Sequence, residues 1–81
     1  MRIRRTNQSL SPSRLAKLFN SELEKRKRPP KYVGRTTLYY WIEGEREANY
    51  FMLEYLEKNA LDRDARQAAA DLLIHLDEMA G

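Results

Sequence analysis

The sequence predicts an all-α fold, a bundle of about four helices, from three observations. Apolar residues recur every three or four positions along successive segments, and those segments are bracketed by capping residues, proline or glycine. No stretch alternates apolar and polar residues as a half-buried strand would, and no internal repeat or low-complexity segment competes.

The first helix is expected over about 12–27. Ser11 is a good N-cap, Pro12 suits the first helical position, and Leu15, Leu18, Phe19 and Leu23 share one face. Pro29 and Pro30 then stop it, because proline lacks an amide donor and disfavours the α region in the residue before it. A second, short helix is expected over about 35–43, with Gly34 as cap, Leu38, Trp41 and Ile42 as its apolar stripe, and Gly44 as stop. The third is expected over about 48–59, with Tyr50 or Phe51, Leu53 and Leu56 facing inward and Leu61 just beyond. Asp62 can cap a fourth that runs to the terminus, with Asp64 near its positive end and Ala65, Ala69, Leu72, Leu73, Leu76 and Met79 or Ala80 in register.

Eighty-one residues make one domain with a core of marginal size, so help from a second subunit is expected. There is no cysteine, hence no disulfide framework and no thiolate metal site. The positive charge at 1–10 has no apolar run behind it, and nowhere do eighteen apolar residues stand together. Neither secretion nor membrane spanning is predicted; the expectation is a cytoplasmic, nucleoid-associated protein.

Charge is unevenly divided. Residues 1–46 hold twelve Lys/Arg against four Asp/Glu, whereas 47–81 hold three against eight. The basic front half suits an anionic partner, and the acidic, apolar-faced rear suits dimerisation, here assigned to Leu72, Leu73, Leu76 and Met79. The expected division is a flexible basic arm at 1–10, a DNA-binding part at 11–46, and core and dimerisation helices at 47–81.

Within the front half, the segment KYVGRTTLYYWIEGER holds four of the eight aromatic residues. If Leu38, Trp41 and Ile42 face inward, Arg35, Thr36, Tyr39 and Tyr40 turn toward other faces. An α-helix fits the major groove of B-DNA, where arginine bonds guanine bidentately, threonine meets acceptors or a thymine methyl, and tyrosine can bond phosphate. Tyr39 and Tyr40 cannot both lie on the inner stripe, so at least one is expected to project outward.

The run from Val33 to Gly44 resembles the recognition helix of phage-repressor and Cro-type helix-turn-helix proteins, with Val33, Thr37, Leu38, Trp41 and Gly44 at matching places. The resemblance implies a small helix-turn-helix-like bundle and a sequence-specific double-stranded DNA-binding regulator, a phage or plasmid-type repressor holding a palindromic operator as a homodimer. It implies base contacts for Arg35, Thr36 and Tyr40, and backbone or flanking contacts for Thr37 and Tyr39. Leu38 and Trp41 would hold the helix to its scaffold. Leu15-Ala16 is similar to the start of the preceding helix, but Leu15 and Val33 stand eighteen apart, where the pattern has roughly six. About a dozen residues therefore extend the first helix and the turn.

The added segment carries Lys25, Arg26, Lys27, Arg28 and Lys31, which either line a phosphate backbone together with Arg46 or form a solvated helix end. Arg2, Arg4 and Arg5 are candidates for a minor-groove arm. The alternative to DNA binding is a small protein-interaction module, a phage-encoded inhibitor or adaptor that turns the basic patch and tyrosines toward an acidic partner; single-stranded RNA is a third reading. No enzyme, cofactor, metal or small-molecule ligand is expected. His75, the only histidine, has no nucleophile near it in sequence and reads as a structural or interface residue, and three glycines form no phosphate-binding loop.

Overall fold

A computed structural model of the chain describes residues 10–26 and 32–80. They form four helices: α1 (Pro12–Glu24), α2 (Arg35–Glu43), α3 (Tyr50–Asn59) and α4 (Arg63–Ala80). There is no strand among the described residues. None of these helices is long and apolar enough to cross a membrane.

Each boundary has a local cause. The Ser11 hydroxyl accepts the Arg14 amide at 3.4 Å and starts α1 where expected. The helix ends earlier than the prolines require, since by Lys25 the chain has tightened into bonds from the Lys25 and Arg26 amides to the Glu22 and Leu23 carbonyls, both 3.1 Å. The observed bounds of α2 match the expected ones. At its end Gly44 takes φ 79°, the Gly44 amide reaches the Trp41 carbonyl at 3.1 Å and the Glu45 amide reaches Tyr40 at 2.9 Å, which together make a Schellman motif. A side chain at Gly44 would meet only ordinary contacts with Met79, so the left-handed backbone is what calls for glycine.

The third helix starts two residues later than expected, because Asn49 caps it by accepting the Met52 amide at 3.1 Å. Its inner face also differs from the expected one. Met52, Leu53 and Leu56 are buried, whereas Phe51 is 78% exposed and Tyr50 and Leu61 also face outward. In α4 the inner face is Ala65, Ala68, Ala69, Leu72 and Leu76, the three alanines allowing close packing over its first two turns. The other three helices all pack on α4, and Leu15, Phe19, Leu23, Leu38, Trp41, Leu53, Leu56 and Leu72 meet in one core.

This core corrects the dimerisation surface read from the sequence. Leu72 and Leu76 are consumed inside the chain itself, at 0% and 5% exposure, and leave almost no surface for a second subunit. Leu73 is half-buried against the same core. Met79 is exposed but lies roughly 120° around the helix from Leu73, so the two do not form one strip. The unbroken apolar face of α4 served its own three neighbours.

Candidate nucleic-acid interface

Helical spacing sorts α2 into two sides. Leu38 and Trp41 are buried and Ile42 is half-buried against the core, while Arg35, Thr36, Thr37 and Tyr39 are exposed and Tyr40 is half-exposed. Thr36 and Tyr40 lie near the middle of the outward side, one turn apart, and Arg35 and Tyr39 flank them toward α1. The start of α1 meets this flank: Pro12, Ser13, Arg35, Thr36 and Tyr39 line a hollow of about 250 Å³. Two helix starts with a guanidinium and three hydroxyl-bearing side chains are thereby gathered on one surface.

The tyrosines are mutually ordered. Their rings meet edge to face with centroids 5.9 Å apart, and the Arg46 guanidinium lies 5.0 Å from the Tyr40 ring. Arg46 therefore sits beside the outward side of α2 although it belongs to the following loop. Beyond it the sign of charge changes, with Glu43, Glu45 and Glu47 all exposed at the far end of the helix.

Three side chains that sequence reasoning passed over or left without a role position this surface. Asn20 of α1 clasps the backbone just before α2: its Nδ2 donates to the Val33 carbonyl at 2.8 Å, and its Oδ1 accepts the Val33 amide at 2.7 Å. The long connector is thus pinned at its exit, with Val33 itself 6% exposed. His75 of α4 uses Nε2 to bond the Ile42 carbonyl at 2.8 Å, so Nε2 carries the proton and satisfies one of the open carbonyls in the last turn of α2. Glu22, 4% exposed, accepts the Leu61 and Asp62 amides at 2.9 and 3.0 Å and pairs with Lys25 at 3.2 Å. It fastens α1 to the turn that launches α4.

Asn20 gives a direct test of the clasp. Asn20→Ala is expected to cost about 1–2 kcal/mol, since two backbone groups lose partners in a half-buried setting. Because the clasp sets the entry of α2, hydrogen exchange should quicken at Val33 and in the first turn of α2 more than in α3. Equal acceleration in both helices would show that Asn20 stabilises the whole fold and does not position α2.

The basic run divides. The Arg26 guanidinium stacks 3.9 Å from the Tyr55 ring of α3 and Lys25 is paired with Glu22 of its own helix, so both are engaged within the molecule. They also stand at the opposite end of α1 from Ser13, roughly 18 Å along the helix. Lys27, Arg28 and Lys31, like Arg2, Arg4 and Arg5, lie outside the described residues. No group of His, Asp or Glu able to hold a metal ion occurs among the described residues. Comparison with known protein families, characterised proteins and solved structures gave no match.

Proposed function

We propose that the chain binds duplex DNA sequence-specifically through the first two turns of α2 and regulates transcription by occupying an operator. The observation that carries this reading is the exposed Arg35, Thr36 and Tyr39 and the half-exposed Tyr40 on a short helix whose opposite side is fixed by buried Leu38 and Trp41. A helix so held presents its donors without first having to order them, and its width suits the major groove. Arg35 is assigned to a guanine edge, Thr36 and Tyr40 to adjacent bases, and Tyr39 with Ser13 and Thr37 to flanking phosphates. The acid at the far end of α2 and throughout α4 keeps the rest of the molecule away from the backbone.

A palindromic operator calls for two copies. The strip left for a second copy on α4 is Ala70, Leu73 and Ile74, half-buried or exposed and at helical spacing.

Arg35→Ala tests the reader assignment. It is expected to cost about 1–3 kcal/mol on the preferred duplex and to relax choice at one base pair per half-site, while affinity for mixed-sequence DNA falls far less. Fluorescence anisotropy with matched and mismatched duplexes measures both. Unchanged affinity and discrimination would remove α2 as the reader.

A further inference from the structure

At the end of α2 away from Arg35, the chain forms a second surface of opposite character. Trp41 and Gly44, the loop 45–48, Tyr50, and Leu76, Met79 and Ala80 of α4 line an open groove of about 600 Å³. Its floor is apolar, and there Met79 at 43% and Tyr50 at 40% exposure remain in contact with water. Its volume lies within the range of about 300–1,000 Å³ usual for binding clefts.

The charge around it is mainly negative. Glu45 and Glu47 stand on its rim. The last turn of α4 brings open carbonyls and the negative end of the helix dipole, and no basic residue lies in that turn to offset them. Residues 67–81 contain Asp71, Asp77 and Glu78 and no Lys or Arg. Arg46 is the one base lining the groove, and its guanidinium is directed to the Tyr40 ring.

We infer that this groove docks a cationic amphipathic segment of another protein, its bulky apolar side chain seated over Trp41 and Met79 and its Lys or Arg residues meeting Glu45 and Glu47. Apolar floor and acidic rim together select that chemistry. An acidic segment is repelled, and DNA is excluded for the same reason. A purely polar cation leaves the floor unfilled. The site lies on the other end of α2 from the DNA-reading turns, so the inference stands or falls independently of the proposed function.

Trp41, the only tryptophan, supplies the readout. The full chain is titrated with three blocked synthetic peptides: a Leu/Lys amphipathic helix, its Leu/Glu counterpart, and a Ser/Lys peptide of equal charge to the first. The Leu/Lys peptide is expected to shift Trp41 emission saturably, with affinity falling as salt rises, and the other two are expected to leave it unchanged. The double variant Glu45→Gln, Glu47→Gln alters only exposed side chains and should weaken Leu/Lys binding about tenfold. Absence of saturable binding overturns the inference, as does equal binding of the Leu/Glu or Ser/Lys peptide, or undiminished affinity in the double variant. Sedimentation of the free protein supplies a further check: a dimer that Met79→Glu dissociates would assign the groove to a second copy and overturn it too.

Discussion

Trp41→Ala is expected to lower stability by about 3–5 kcal/mol, a large part of the roughly 4–12 kcal/mol available to a domain of this size. The indole is 6% exposed and lies one turn beyond Leu38 on the inner side of α2, so truncation opens a cavity between α2 and α4. Helix α2 is short, and Leu38 and Trp41 are its only two buried residues. Its loss of anchorage should therefore release the whole reading surface. Thermal melting by circular dichroism measures the effect, and Trp41→Phe should recover most of it. A melting temperature close to wild type for Trp41→Ala would mean that α2 is held by something other than its inner stripe.

Glu22→Ala is expected to cost about 3 kcal/mol, because the carboxylate that receives two backbone amides and Lys25 has no replacement. Burial by itself raises the carboxyl's tendency to hold a proton, but the Leu61 and Asp62 amides and the Lys25 ammonium outweigh it and bring the pKa below the ordinary 4.5. A lowered folded-state value means that the unfolded chain binds more protons in that range. The contribution is thus complete above about pH 4.5 and is lost as pH falls through the lower folded value. Denaturant titrations of wild type and Glu22→Gln should differ at neutral pH and converge in acid. A gap that stays constant from neutral pH into acid would show that the ionised form of Glu22 contributes nothing beyond its shape.

Much of this architecture was legible in the chain. Ser11-Pro12 and the glycines at 34 and 44 marked helix ends that depend only on local backbone chemistry, and the start of α1 and both ends of α2 lie where those signals put them. Local signals misled where two compete, as at 48–50, where apolar Ala48 extended the pattern but Asn49 supplied the cap. Glu22 carried a readable sign, since it falls on the helical wheel between Leu15 and Leu18 and so had to be a buried acid with partners. Its partners, Leu61 and Asp62, lie about forty positions away and have no sequence signature.

The candidate site was legible in part for the same reason. The sorting of α2 into an inner Leu38 and Trp41 side and an outer Arg35, Thr36 and Tyr39 side follows from helical period alone. The clasp by Asn20, the docking of His75 on Ile42 and the closeness of Ser13 to Arg35 arise from tertiary packing across a connector of unusual length, and the linear pattern does not encode them. The assignment of Leu72 and Leu76 to a dimer failed on a related ambiguity. An apolar helix face reads alike whether its own chain or a second copy covers it, and here the chain's own helices cover it.

The central claim, that the outward side of α2 reads duplex DNA, is tested most directly by unbiased selection from a randomised duplex pool with the purified wild-type protein. The account predicts enrichment of one inverted repeat, with guanine at a fixed place in each half-site and that preference lost when the selection is repeated with Arg35→Ala. A pool that emerges without an enriched sequence, from protein shown to be folded and at a salt concentration low enough to retain non-specific binding, would contradict it.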